Sequence, residues 1–392
     1  MSALPPLELP GEITEIAATL EAAGYEAWCV GGALRDRLLG RPADDIDLAT
    51  AAEPDVVQKL FRRTVAVGVK FGTVGVLDRN RVLHEVTTFR RDVVTDGRHA
   101  VVEYGASLDE DLARRDFTIN ALAYHPIRRE WRDPFGGAPD LERRVVRAVG
   151  NPADRFREDY LRILRALRFA ARFEFDIDPA TWDAAVAMAE GLRGLSAERV
   201  RDEWTRGLET ARSVERLVSL WRAVGASAIW LPALRSPYPL ADGTPVPRDP
   251  LLLTVALSED AEADWKRLRG SRAEIQRAAA AARAPAAPAD SEREAVRRWL
   301  AAAGPAADDL LLLEAWRTGA VPWWKAAVDG IRAAGEPVSR GELAVDGDDL
   351  LAAGVPRGPE IGSLLDRLLE AVLADPSLNT RERLLALVES WR

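Results

Sequence analysis

The chain changes character near residue 108, and that change limits what it can fold into. Before this point short β patterns are interleaved with helical ones. After it, apolar residues recur almost wholly at three- and four-residue spacing. Residues 12–23 have helical spacing (Ile13, Ile16, Ala17, Leu20), and residues 25–30 read as a short buried strand ending at Gly31-Gly32. A short helix over 33–39, closed by Gly40, a strand over 45–50 and a helix over 54–63 follow. Further β segments are expected at 73–77, 82–89 and 101–104. This order lacks the regular βα rhythm of a doubly wound sheet. The expected fold is therefore α+β, a mixed sheet with flanking helices, followed by an all-α region.

At 392 residues the chain exceeds one ordinary core, which implies several domains. Its 47% hydrophobic and 29% charged residues describe a soluble globular protein, and no apolar run approaches the roughly 20 residues of a membrane span. The Pro-rich, acidic start lacks a basic apolar signal, so a cytoplasmic location is expected. Cys29 is the sole cysteine, which excludes internal disulfides and cysteine-based metal cages. A net charge of −9 argues against indiscriminate coating of nucleic acid but leaves room for a local basic surface. The Ala-rich stretch 277–290, with Pro285 and Pro288, reads as a helix end running into a linker.

Chemistry concentrates first at Gly31-Gly32-Ala33-Leu34-Arg35-Asp36 and Asp45-Ile46-Asp47-Leu48. Asp45 and Asp47 are two apart, so on a strand both point the same way. Close like charges are costly without a cation between them, and hard oxygen donors of this kind suit Mg²⁺. Glu85, on a neighbouring β segment, is placed to complete such a site or to serve as a surface glutamate. Gly31 and Gly32 let the backbone approach a ligand closely, and their N–H groups with the following helix start suit a phosphate. Arg35 adds a fixed positive fork. The combination describes a phosphate grip beside a metal pair, where a metal-bound triphosphate meets a hydroxyl.

Arg114-Arg115-Asp116-Phe117-Thr118-Ile119-Asn120 is expected to open a helix with Asp116 as N-cap. Capping does not account for two arginines and Asn120 around it; together they suit a ribose hydroxyl and a phosphate. The span 155–172 reads as one amphipathic helix. Phe156, Tyr160, Ile163, Leu164, Leu167 and Ala171 gather on one side, and Arg155, Asp159, Arg162, Arg165 and Arg172 lie opposite, with Arg168 at the margin. Asp159 and Arg162 offer an acceptor and donors side by side, as reading a nucleobase edge requires. His84, His99 and His125 are scattered and no His-Asp dipeptide occurs, which argues against a histidine-based phosphohydrolase domain.

In this order the pieces resemble the class II tRNA nucleotidyltransferases, the CCA-adding enzymes, and the related bacterial poly(A) polymerases. Asp133-Pro134-Phe135-Gly136-Gly137 with Asp140, the run from Arg157 through Phe169, and Ser196-Ala197-Glu198-Arg199-Val200 with Glu203 extend the likeness over roughly residues 25–205. Residues 346–383 resemble the C-terminal segment of these proteins less distinctly. The resemblance implies a nucleotidyltransferase head (1–145), a helical neck that recognises the base (146–205), a helical body (206–284) and a tRNA-binding tail (285–392). It implies that Asp45 and Asp47 hold catalytic Mg²⁺, and that Gly32 and Arg35 contact the triphosphate. Arg115 and Asp116 would serve phosphate and ribose, Asp159 and Arg162 the base, and Arg165 and Arg168 that helix or phosphates.

The implied activity is addition of C, C and A from CTP and ATP to the 3′ end of tRNA, with no membrane and no protein partner. The span 85–99 looks like an intact flexible loop, which favours full CCA addition or A addition alone. The chain is acidic and carries no basic extension, which favours tRNA over the varied RNAs of poly(A) polymerases. A catalytically silent RNA-binding protein on the same scaffold is disfavoured by the intact Asp45, Asp47 and Arg35.

Overall fold

The computed structural model describes residues 4–43, 45–68, 72–95, 100–235 and 247–392. The chain divides into two units, Met1–Pro232 and Ala233–Arg392.

In the first unit nine strands form a sheet and a hairpin. They are β1 (Ala27–Val30), β2 (Asp47–Thr50), β3 (Thr64–Gly68), β4 (Thr73–Leu77), β5 (Leu83–Thr88), β6 (Arg90–Thr95), β7 (Ala100–Tyr104), β8 (Ala123–His125) and β9 (Glu130–Arg132). The seven-stranded sheet runs β3-β4-β5-β2-β1-β8-β9, with β6 and β7 paired separately. Only β2 and β5 are parallel neighbours in that sheet. The mixed sheet agrees with the α+β expectation.

Helix α1 (Gly11–Ala22) buries Ile13, Ile16, Ala17 and Leu20 against Leu48, Val74, Val76, Val86 and Tyr124 on one sheet face. Helix α3 (Pro54–Leu60) adds Val57 to the same core, while the short α2 (Gly32–Leu38) follows β1 directly. The opposite face sets Trp28, Val30, Ala49 and Phe89 against Leu108 and Leu112 of α4 (Leu108–Ala113). Cover on both faces explains why all four residues of β1 are buried and why it shows no alternation.

Several expectations are corrected. Strands do not stop near residue 104: β8 and β9 extend the sheet past β1, and a two-residue pair joins Val145–Val146 to Asp176–Ile177. Segments this short, with β8 buried throughout, carry no period to read. The strand expected from 45 begins at Asp47, leaving Asp45 exposed ahead of it while Ile46 is buried. Arg114 to Asn120 opens no α-helix: α4 ends at Ala113, Phe117 is extended and bridged to Ala148, and one 3₁₀ turn (Thr118–Asn120) leads into β8.

Helix α5 (Gly137–Arg143) leads on to a helical stretch of the first unit. There the helix expected over 155–172 is two helices, α6 (Pro152–Glu158) and α7 (Leu161–Phe173), broken at an extended Asp159 (φ −157°, ψ 106°). The break is stabilised locally, because Asp159 Oδ1 accepts the Leu161 N–H at 3.0 Å and so satisfies a free donor of the new helix. Helix α8 (Pro179–Ala187) is capped by Asp178, and α9 (Ala197–Thr210) packs along α7.

The described residues of the second unit form helices and 3₁₀ turns only, apart from one isolated bridge. One core gathers Val296, Trp299, Leu300, Trp324 and Val328, and another Leu350, Leu364, Leu368, Val372, Leu384 and Val388. Helix Arg272–Ala282 ends before Pro285, and the next helix starts at Arg293, in line with the linker reading. No helix among the described residues is long and apolar enough to cross a membrane.

Candidate nucleotide site

The antiparallel register of β1 and β2 sets Val30 opposite Asp47, at the point where β1 ends. Gly31 turns the chain at φ 89°, a conformation that side chains rarely adopt. A Cβ there would lie 3.4 Å from Asp47 Oδ2 and 3.7 Å from Arg115 Nη1. At Gly32 the added atom would sit 3.1 Å from Arg35 Nη2. The glycine pair thus lets the backbone, Asp47 and two arginines share one corner.

On the other side, parallel pairing of Leu48 with Val86 makes Asp47 and Glu85 the residues just before a matched pair. Burial first, then the Glu85 and Asp45 charges, together push the Asp47 carboxyl up to about 6 against the opposing pull of Arg115. A carboxylate under this pressure is a good donor for a divalent cation, which would restore its ionised form. Asp45, Asp47 and Glu85 do not form a ready three-ligand cage; among the described residues no group of three His, Cys, Asp or Glu side chains does. Carboxylate oxygens completed by substrate phosphates remain a fitting donor set for Mg²⁺.

The turn after α4 supplies the next layer. Asp111, 1% exposed, accepts Arg114 Nη2 at 2.8 Å and Arg115 Nη2 at 3.2 Å. Asp116 Oδ1 accepts the Phe117 N–H and Asn120 Nδ2, both at 2.8 Å, and Oδ2 accepts Arg165 Nε at 2.8 Å. Burial would raise the Asp116 carboxyl, yet the Arg165 charge and these hydrogen bonds hold it below its ordinary value. Asn120 Oδ1 in turn accepts from Arg35, whose guanidinium also lies 5.0 Å from the Phe169 ring centroid.

The Asp133–Gly137 motif braces this turn from behind. Asp133 accepts the N–H groups of Gly137 and Ala138, and Asp140 accepts Thr118 Oγ1 at 2.6 Å. A Cβ on Gly137 would meet the Thr118 carbonyl oxygen at 2.2 Å, so only glycine permits that approach.

Helices α7 and α9 complete the wall. Arg168 Nε donates to Glu203 Oε2 at 2.6 Å, and Arg165 Nη1 reaches Glu203 Oε1 at 3.5 Å. Asp159 Oδ2 accepts Arg199 Nη2 at 2.6 Å. Arg162 donates to Glu158 at 2.5 Å and to the carbonyls of Arg155 and Arg114 at 3.0 Å. Asp159 and Arg162 are therefore held by separate partners, each with capacity left for a ligand.

These side chains line one open cavity of about 590 Å³. Every nucleotide-binding residue expected from the sequence borders it, namely Gly31, Gly32, Arg35, Arg115, Asp116, Asn120, Asp159, Arg162, Arg165 and Arg168, and of the expected catalytic carboxylates Asp47 does. Asp45 and Glu85 stand outside the lining and act on Asp47 as charges. Arg206 borders the cavity without having been singled out, and Arg114 and Arg199, named only as members of motifs, border it too. The i, i+4, i+7 spacing of Arg199, Glu203 and Arg206 on α9 was the available signal. His99 and the tip of the expected 85–99 loop lie outside the described residues.

Comparison with known proteins bears on this geometry. A family model described as the poly A polymerase head domain matches residues 27–147, and one described as the probable RNA and SrmB-binding site of polymerase A matches 174–236. The chain is 46% identical to a CCA-adding enzyme of Streptococcus gordonii over 54% of its own length and 57% of the relative's. It is 48% identical to one of Levilactobacillus brevis over 47% of each. The match thus spans about half the length of these curated relatives. Over nearly full length, 97% of this chain and 96% of the other, it superposes on the Bacillus stearothermophilus CCA-adding enzyme crystallised with CTP (TM-score 0.80, 34% identity). A Thermotoga maritima CCA-adding enzyme complexed with tRNA shares the fold at 19% identity (TM-score 0.64). The chain belongs to the class II tRNA nucleotidyltransferase and bacterial poly(A) polymerase family.

Proposed function

We propose that the protein adds C, C and A to the 3′ end of tRNA, using CTP and ATP with Mg²⁺ and releasing pyrophosphate. The observation that carries this reading is a cavity lined both by the Gly31–Asp47 corner and by Asp159 and Arg162, together with Arg165 and Arg168, which are paired to Asp116 and Glu203. The base-specific end and the base-independent end of one nucleotide fit those two ends of the cavity. The likeness to CCA-adding enzymes, including one crystallised with CTP, supports the choice of substrates.

In this reading the backbone at Gly31-Gly32 and the Arg35 guanidinium cradle the triphosphate. Arg115 and Asp116 orient phosphate and ribose, with Asn120 fixing Arg35. Asp159 accepts from, and Arg162 donates to, the edge of the incoming base, while Arg165 and Arg168 hold α7 against Asp116 and Glu203. Asp45 and Asp47 would hold Mg²⁺, with Glu85 as a further carboxylate beside them; the bound ion supplies activation of the primer hydroxyl and charge neutralisation at the departing pyrophosphate. We assign residues 1–145 to the head, 146–205 to the neck, 206–284 to the body and 285–392 to a tRNA-gripping tail, and place the protein in the cytoplasm.

The test is extension of a tRNA lacking its 3′ terminus with CTP, ATP and Mg²⁺, read by sequencing the product. Addition of C, C and A is expected. Long A tails on unstructured RNA would indicate a poly(A) polymerase, and A added only to tRNA already ending in CC would indicate an A-adding enzyme.

A further inference from the structure

Phe173 closes α7, and three guanidinium groups crowd around its ring. The Cζ atoms of Arg35, Arg41 and Arg172 lie 4.8, 4.8 and 4.9 Å from the ring centroid. One carboxylate, Asp36, serves two of them, accepting Arg35 Nε at 2.8 Å and Arg172 Nη2 at 3.0 Å. The side chain of Arg41 makes no hydrogen bond or ion pair among the described residues. Its charged neighbours are Arg212 and Arg172, with Asp36 and Glu174 weaker. Arg212 is paired with Glu174 at 3.1 Å. Among the described residues Arg35, Arg41, Arg172 and Arg212 thus stand against Asp36 and Glu174, with Asp116 acting on Arg35 as well, and positive charge is in excess.

A phenyl ring orders guanidinium groups but does not neutralise them. Like charges held this close call for an anion, and a phosphate matches the planar fork of arginine donors. Its source follows from position. Arg35 and Arg172 border the nucleotide cavity, whereas Arg41 does not. An anion reaching Arg41 therefore comes from outside the cavity, from a polymer's backbone rather than from the triphosphate within.

We propose that Arg41, with Arg172 and Arg212, forms a second phosphate site at the end of α7 that takes a backbone phosphodiester of the RNA substrate. This rests on the reading that the substrate is RNA. The site grips the RNA beside the nucleotide but has no part in choosing the base. Cation–π contacts on Phe173 tie it to Arg35, so the polymer and the triphosphate are held by arginines gathered on one ring.

The full-length Arg41→Gln and Arg41→Lys variants test the site, with circular dichroism to check their fold. For Arg41→Gln the affinity for tRNA lacking its 3′ end should fall severalfold, and the plot of log affinity against log salt should become shallower by roughly 0.7–0.9. KM for CTP and ATP and the choice among four nucleotides should be unchanged, and Arg41→Lys should recover much of the loss. A raised nucleotide KM with unchanged tRNA affinity would assign the phosphate to the triphosphate and overturn the proposal, as would no change in either. A second arm uses inorganic phosphate as the probe: it should raise the melting temperature of the wild-type protein more than that of Arg41→Gln. Equal shifts would remove the site whatever the substrate. A protein that shows this difference yet extends no RNA would overturn the functional reading and leave the anion site standing.

Discussion

Removing Glu203 is expected to destabilise the first unit by an amount the geometry allows us to work out. Glu203 is 5% exposed and accepts from both Arg168 and Arg165. Arg165 keeps a second carboxylate, Asp116, in Glu203→Ala, whereas Arg168 loses its only hydrogen-bonded carboxylate among the described residues and keeps Asp116 only as a weaker charge. Burial already pulls the Arg168 guanidinium below its ordinary pKa despite Glu203, so it tolerates isolation poorly. Breaking a buried pair by deleting one partner costs about 3–5 kcal/mol, and with only one cation stranded the lower end, about 3 kcal/mol, applies. For a unit of this size that corresponds to a fall in melting temperature of roughly 6–12 °C. Glu203→Gln keeps an acceptor and should cost about 1–2 kcal/mol. Glu203→Leu combined with Arg168→Met removes both charges and should return to within about 1 kcal/mol of the wild type. Differential scanning calorimetry of the full chain without nucleotide reads all three. A Glu203→Ala protein melting within a degree of the wild type would refute the argument that this network holds α7 to α9.

Gly31→Ala forces a side chain to φ 89° beside Asp47; it should cost about 1–3 kcal/mol and abolish transfer, which a denaturation curve and an extension assay measure separately. Gly191→Ala would drive a Cβ to within 2.1–2.4 Å of the Tyr160 ring, which adjoins the Asp159 break. The expected cost is about 1–3 kcal/mol, with poorer discrimination among nucleotides measured as a ratio of kcat/KM values. Acid stability follows Asp116, whose carboxyl is held below its ordinary value in the folded protein. Its contribution is complete above the unfolded value of about 3.9 and is lost as pH falls through the lower folded value. Asp116→Asn should therefore flatten the acid limb of melting temperature against pH, and an unaltered limb would contradict the assignment.

The head and the cavity were legible in the sequence to different depths. The Gly31–Asp47 corner could be read because glycine and carboxylate spacing are local and β1 leads straight into α2. Its neighbours could not be read in the same way. β8 and β9 are three residues each, and only the pairing of β8 with β1 and of β9 with β8 makes them strands. The helix expected over 155–172 kept its 3.6-residue period across Asp159, so nothing in the pattern revealed that the carboxylate would cap a new helix. Arg165 and Arg168 were legible as part of a basic face, but their acidic partners lie far off in the chain, Asp116 before them and Glu203 after. Arg206 gave no signal beyond its spacing from Arg199 on one helix, and its place at the cavity is a product of α7–α9 packing.

The claim at the centre of this account is that transfer and selection reside at opposite ends of one cavity. Single-turnover incorporation of CTP, ATP, GTP and UTP by the wild type and by Arg162→Ala measures it most directly. The wild type should accept CTP and ATP and reject the others, and Arg162→Ala should still transfer nucleotides in the presence of Mg²⁺ with much of that discrimination gone. Unchanged discrimination in Arg162→Ala would contradict the account.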